Sequence, residues 1–280
     1  MIESQSLQKI SVESVRVSED LRHAWLDLLE GCKAWRVWLL LAWQDIRLRY
    51  RRSTLGPFWI TLSMAITIYS MGLLYSKLFK MDLNQYYPFL ATGMLSWNLI
   101  SSLLSDAPTI FVDAESFIKQ IKQPYCSFIF RAVARNLIIF AHNTLVLVPI
   151  MIFFHMPFHY VSLLFGLSLL LIVLNASGYG MLLAILGTRF RDIAQLVTSL
   201  LQVIFFLTPI MWSSKVLSQK YQFVVELNPF AHMLNLIRDP LLGIVPPLYS
   251  WLVILGITAF GLLAAFIVFA RYRARIAYWL

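Results

Sequence analysis

Four arginines fall within six positions, Arg47, Arg49, Arg51 and Arg52, in a segment that also carries Trp35, Trp38 and Trp43. A guanidinium presents paired N–H donors that match phosphate oxygens, so this cluster suits phosphoryl groups on a lipid or a substrate. The plainer use of the same residues is anchoring to anionic headgroups, worth about 1 kcal/mol per cation near the surface. The two uses are compatible with each other. Little else in the chain has the makings of catalysis. No GxxxxGK(S/T) loop occurs, so there is no backbone cradle for nucleotide phosphates. Asp106, Asp113 and Asp192 each stand apart from any His or second carboxylate, which leaves acid–base or metal-assisted chemistry without its partners. Cys32 and Cys126 have no CxxC spacing, so neither a disulfide framework nor a zinc site follows. His142 and Asn143 lack an acidic partner in their segment and suit an interhelical hydrogen bond, with no metal expected anywhere.

Two further clusters lie where a partner or a passage would need them. The stretch from Glu115 to Gln123 is short and charged, yet Phe117, Ile118 and Ile121 give it one apolar side. It reads either as a solvated connector or as a helix that seats in another protein's groove, with Phe117 as anchor. Arg189, Arg191 and Asp192 close an apolar run; they serve either as anchors with a counter-charge or as a constriction at a pore mouth.

These residues need a scaffold, and composition dictates its kind. Of 280 residues 59% are hydrophobic and only 13% charged, with a mean hydropathy of +0.72. Soluble domains hold roughly 45 to 50% apolar residues, and the charges here cluster between long uncharged runs, as in a polytopic membrane protein. The net charge of +9 therefore does not point to nucleic acid. Six runs are expected to cross the bilayer as helices: Pro57 to Ser76, Tyr86 to Ser105, Leu137 to Phe154, Val161 to Leu186, Ile193 to Trp212 and Trp251 to Ala270. The second is diluted by Ser96, Asn98, Ser101 and Ser102 but carries no charge. With both termini cytoplasmic, only Lys77, Lys80, Lys215, Lys220 and Arg238 of the 23 Lys and Arg face outward, a strong positive-inside bias.

The chain divides into a polar cytoplasmic tail over 1–32, an amphipathic interfacial helix over 33–53, a six-span permease-like domain over 54–270 and a short cytoplasmic tail over 271–280. With Glu3, Glu13, Glu19, Asp20, Asp27 and Glu30 and no continuous apolar core in the first 30 residues, no cleavable signal peptide is expected. On the outer side, Asn228, Pro229 and Arg238 belong to a stretch in which prolines interrupt apolar pieces too short to span, as in re-entrant helices. Ala176, Gly180 and Ala184 make a small-residue stripe that allows close helix packing.

The segment from Asp45 to Trp59 (DIRLRYRRSTLGPFW) resembles the motif that precedes the first span in ABC permeases exporting lipid-linked O antigen and teichoic acid. Four more motifs follow in that family's order: ESFIKQIKQP from Glu115, TRFRD from Thr188, TPIMW from Thr208, and Asn228-Pro229-Phe230 running through Arg238 to Gly243. The resemblance covers roughly residues 35 to 270 and implies an all-α fold of six spans in the bacterial cytoplasmic membrane. It implies a homodimer with two cytoplasmic ATPase subunits, which bind the ATP and magnesium, so the chain itself needs no cofactor. It further implies that Glu115, Ser116, Phe117, Ile118, Lys119 and Ile121 form the ATPase-coupling helix, and that Trp43, Arg47, Arg49, Arg51 and Arg52 receive a lipid-linked pyrophosphate. Arg189, Arg191 and Asp192 then become the cytoplasmic gate, and Tyr69, Tyr75, Phe205 and Phe206 aromatics of channel-lining spans, although packing serves such residues equally well. Undecaprenyl-diphosphate-linked O antigen is the expected cargo. Teichoic acid or capsule export, a small-molecule ABC permease and a membrane glycosyl- or acyltransferase are the alternatives, the last weakened by the missing carboxylate pairs. Single cysteines at positions Lys80 and Lys220 are expected to react with an impermeant thiol reagent from outside, and cysteines at Arg189 and Arg273 to be protected. The reverse pattern would invert the orientation.

Overall fold

The computed structural model describes residues 2–154, 160–214 and 218–280, with side chains from residue 18 onward. Lys215 and the side chains of Lys9 and Arg16, counted above in the charge distribution, lie outside the described residues. Among the described residues all regular structure is helical.

The chain opens with α1 (Ile2–Lys33) and α2 (Trp35–Arg49), then α3 (Phe58–Leu78) and α4 (Leu83–Asp106). After a 3-10 turn over Ala107–Thr109 come two short helices, α5 (Ile110–Asp113) and α6 (Glu115–Gln120). The long pair α7 (Tyr125–Thr144) and α8 (Leu147–Phe153) precedes α9 (Leu164–Arg189) and α10 (Ile193–Leu207). Next come α11 (Phe223–Glu226) and α12 (Pro229–Leu241), and α13 (Leu248–Trp279) follows them.

Four of these stretches are long and apolar enough to cross a membrane: Phe58–Leu78, Tyr125–Phe153, Tyr160–Arg189 and Leu248–Trp279. The two other expected spans differ for separate physical reasons. Helix α4 runs 24 residues, about 36 Å, but its serines and asparagines lower its hydropathy. Helix α10 is strongly apolar but only 15 residues long, about 22 Å, because Pro209 ends it and the chain continues extended through Thr208.

The core sits where α4, α7, α9, α12 and α13 meet. Helices α9 and α13 pack closely: a Cβ added to Gly178 would lie 3.0 Å from the Leu262 amide nitrogen, so a larger residue would press the two backbones apart. Ala176 and Ala184 are buried beside it, and Gly180 faces Ile129 of α7, so the stripe is structural. At its inner end α9 presses on the turn after α4, where a Cβ on Gly187 would stand 2.1 Å from the Pro108 carbonyl oxygen.

The irregular piece after α10 is clasped from two sides. Arg238 of α12 donates to the Pro209 carbonyl at 2.8 Å, and the Tyr86 hydroxyl of α4 donates to the Met211 carbonyl at 3.0 Å. Asn228 caps α12, accepting from the Phe230 amide and donating to Thr208 Oγ1.

The polar stretch over 1–32 is not free of the rest. It is helical from Ile2, and Ala24 and Asp27 are buried against α7 and α13. Asp27 accepts from the Cys126 backbone amide at the start of α7 and from Arg273 Nε of α13, both at 3.0 Å, placing an anion at a helix N-terminus. The last ten residues likewise continue α13 to Trp279 without a break.

Gly187→Ala must push α9 away from the turn it touches, and overpacking of this kind costs about 1–3 kcal/mol. The purified protein is expected to melt lower, whereas Gly256→Ala, with no atom within 4 Å of the new methyl, should not lower it.

Candidate functional site

One arginine pair of α7 ties three helices together and touches the expected coupling segment at Phe117. Arg131 and Arg135 stand one turn apart, so both point the same way. Arg131 grips the two Asp45 oxygens of α2 through Nε, at 2.9 Å, and Nη2. Arg135 reaches Asp45 at 3.5 Å and Asp106, the last residue of α4, at 2.9 Å. Asn136 adds a further donor to Asp106 at 3.0 Å. The carboxylates and guanidiniums are between 15% and 32% exposed, shielded enough for the pairs to matter more than exposed ones. Three helices are thereby tied at one level.

The same Arg131 touches the expected coupling segment. Its guanidinium carbon lies 5.6 Å from the Phe117 ring centroid. Phe117 remains 37% exposed and Ile121 50%, while Ile118 packs on the core, so α6 shows an apolar edge outward and is anchored inward. Glu115 and Lys119 pair across one turn at 2.6 Å, and Ser116 is exposed. The Lys119 hydrogen bond and charge hold the Glu115 carboxyl below the usual carboxylate range, with Arg191 adding in the same direction. Arg189 lies between the Phe190 and Trp279 rings, at 5.2 and 5.3 Å, and Asp192 is exposed where α10 begins.

The arginine cluster of 47 to 52 does not converge on one point. Arg47 and Arg51 line a groove of about 390 Å³ with Gln44 and Leu48. Arg49 lines a different one, of about 420 Å³, between α2, α3, α4 and α7. Arg52 holds a left-handed backbone, φ 70°, in the turn leading to α3. Trp43 stacks on His142 of α7 with ring centres 6.3 Å apart.

The expected channel aromatics also separate. Phe205 and Phe206 meet Trp97 of α4 around a cavity of about 490 Å³ that also presents Ser101, Ser105 and Gln202. Tyr69 turns toward α4 and the α7–α8 bend, donating to the Val146 carbonyl at 3.3 Å, and Tyr75 stacks on Phe79. Neither lines that cavity. In the outer group, Asn228, Pro229 and Arg238 are brought together by α12 as its cap, its first turn and its inward-facing guanidinium, which lies 4.7 Å from the Phe89 ring centre.

The ion-pair network itself is not visible in the sequence, where Asp106 stands alone and Arg131 and Arg135 pass for positive-inside anchors. The available signal was the one-turn spacing of the two arginines on a helix that otherwise has few charges. Among the described residues no group of three or more His, Cys, Asp or Glu could hold a metal ion. Asp45 and Asp106 are both engaged by Arg135.

Residues 36–242 match the family model described as ABC-2 type transporter. The chain is 24% identical over 242 residues to an O-antigen export system permease protein, RfbA, of Klebsiella pneumoniae, spanning 84% of this chain and 91% of the relative. It is 23% identical over 198 residues to the like-named permease of Myxococcus xanthus, spanning 70% and 76%. The polysialic acid transport protein KpsM of Escherichia coli is 25% identical over 239 residues, spanning 83% and 90%.

Pairs in one network are not additive. Asp45→Asn and Arg131→Gln should each lower the melting temperature, and the double variant should be less destabilised than their sum, by a coupling of about 1–3 kcal/mol. Arg47→Gln combined with Asp45→Asn should show no such coupling.

Proposed function

This chain belongs to the ABC-2 type transporter family, and from that premise we propose that it is the permease of an exporter that carries a lipid-linked polysaccharide across the bacterial cytoplasmic membrane. O antigen on undecaprenyl diphosphate is the first candidate. The observation that carries this reading is the family match across residues 36–242 together with O-antigen permeases among the relatives that cover most of the chain. The Escherichia coli relative makes a polysialic-acid-type glycan the second reading.

In this reading α4 and α10 also cross the bilayer, completing six spans with both termini inside and α11 and α12 re-entrant from the outer side. Helix α4 is shielded from lipid along most of its length, which lowers the cost of its polar residues. Helix α10 needs the irregular 208–212 segment to reach the far side. Two copies assemble through apolar faces that a lone chain leaves open, such as Leu196, Leu200, Val203 and Phe206 of α10. The cavity at Trp97, Phe205 and Phe206 then faces the passage, where aromatic faces suit sugar rings and also resist ion leak.

Nucleotide is handled by separate ATPase subunits, which bind ATP and magnesium, and this chain has no ATPase site of its own. Helix α6 seats in the ATPase through Phe117. Because Arg131 joins Phe117 to Asp45, a displacement of α6 is passed to α2, whose arginines hold the substrate's pyrophosphate. The loop at Arg189, Arg191 and Asp192 moves with α6 and narrows the inner mouth.

Purified alone, the chain is expected to show no ATP turnover; with its ATPase in vesicles it should translocate undecaprenyl-diphosphate-linked oligosaccharide. Phe117→Ala should weaken ATPase recruitment about thirtyfold, since removing a buried aromatic anchor commonly costs about 2 kcal/mol, and should abolish export. Lys122→Ala changes a rim charge and should do neither. ATP hydrolysis by the isolated chain would overturn the division of labour, and normal recruitment of the Phe117 variant would overturn the docking site.

A further inference from the structure

The groove at Arg49 has a lining that membrane packing does not call for. It runs along matching faces of three helices, with Ser63 and Thr67 on α3, Asn98 and Ser102 on α4, and Asn143 on α7. Along α4 it extends from Asp106 to Met94, about 18 Å of helix rise, starting at the level of the arginine network. Polar groups at such depth are costly against hydrocarbon, so the groove must hold something that hydrogen-bonds.

The direction of the existing bonds says what kind of group that is. Ser63, Thr67 and Ser102 each donate their hydroxyl proton to a carbonyl of their own helix, at 3.0, 2.9 and 3.1 Å. What they offer the groove is oxygen lone pairs. Asn143 is 2% exposed and donates through Nδ2 to Asn98 Oδ1 at 3.1 Å, while its own Oδ1 is buried without a hydrogen-bond partner. A buried, unmatched acceptor costs about 1–3 kcal/mol unless something donates to it. The groove therefore presents acceptors at Ser63, Thr67, Ser102 and Asn143 beside donors at the Asn98 amide and the Tyr50 hydroxyl, and Arg49 is the cationic side chain of its lining.

A phosphate, which only accepts, leaves the Asn143 oxygen unmatched. A polyol matches it, because each of its hydroxyls brings a proton. The volume of about 420 Å³ falls within the roughly 300–1,000 Å³ usual for small-molecule sites.

We propose that this groove binds the carrier-proximal sugars of the lipid-linked substrate, their hydroxyls donating to Asn143, Thr67 and their neighbours while Arg49 holds the adjoining diphosphate. The inference rests on the exporter reading and adds to it a saccharide subsite within one protomer, separate from the aromatic cavity of α4 and α10. It also gives Arg49 a task distinct from that of Arg47 and Arg51, which line the other groove.

The test uses the permease with its ATPase in lipid nanodiscs and two probes, undecaprenyl diphosphate carrying a short oligosaccharide and bare undecaprenyl diphosphate. Asn143→Leu should weaken the glycosylated probe about tenfold and Thr67→Val about threefold, with the bare probe bound as before. Arg49→Gln should weaken both probes. Thr67→Val keeps the side-chain shape, so its effect can be read at an unchanged melting temperature even if Asn143→Leu folds poorly. Variants that bind the glycosylated probe like the parent, or that lose both probes equally, would overturn the saccharide site while leaving the exporter intact. A parent protein that prefers neither probe over bilayer phospholipid would instead overturn the exporter reading itself.

Discussion

Two guanidiniums one helical turn apart hold α2, α4 and α7 together. Arg131 and Arg135 leave α7 on the same side and meet carboxylates from two other helices, Asp45 of α2 and Asp106 of α4. Each partner alone would be an ion near a low-dielectric region, where the cost of desolvation is several kcal/mol. Joined, they place α2 against α7 and fix the level at which α4 leaves the membrane region. The short helix α6 depends on the same pair, since Phe117 lies over Arg131. A disturbance of any member reaches the others because one arginine cannot satisfy Asp45 in two positions at once.

The joint between α10 and α12 is organised by a buried cation, with a different logic. Arg238 meets a backbone carbonyl, Pro209, and the side chain of Asn235, besides its neighbour Asp239. A proline at 209 ends α10 and contributes no backbone N–H, and the arginine supplies a donor to the carbonyl left over at that break. Gly93 permits the approach from the other side, because a Cβ there would stand 2.7 Å from the Ile210 carbonyl oxygen. The TPIMW and Asn-Pro-Phe motifs are thus two halves of one joint, which is why their residue types make sense only together.

What could be read in the sequence follows from how far each signal reaches along the chain. Hydropathy is local, so the four long apolar stretches were legible, and α6 was legible from Phe117 among charges. Helix α4 was harder, since Asn98 and Ser102 have the composition of a surface and their groove is visible only when α3 and α7 are placed beside them. The pairing of Asp45 with Arg131 spans 86 residues, and no local pattern announces it. The arginine run misled in the opposite way. Adjacent numbers suggested one site, but α2 ends at Arg49 and the chain turns, so Arg47 and Arg51 face one groove and Arg49 another.

That divergence bears on how a single chain can treat a ligand with two chemistries. A lipid-linked glycan carries a diphosphate, which seeks cations, and sugars, which seek acceptors and aromatic faces. In a membrane these demands compete with hydrocarbon for every site, so they are best met on separate surfaces at separate depths. Cations are cheapest at the interface, where their stems lie in apolar surroundings and their heads in water. Acceptors such as Thr67 and Ser102 are cheapest deeper, because each hydroxyl already satisfies its proton on its own helix and asks little of its surroundings when empty. Asn143 is the exception, bonded to Asn98 through one end and left unmatched at the other. Hydroxyls satisfied in this way hold a passing polyol weakly, a property that favours passage over permanent binding.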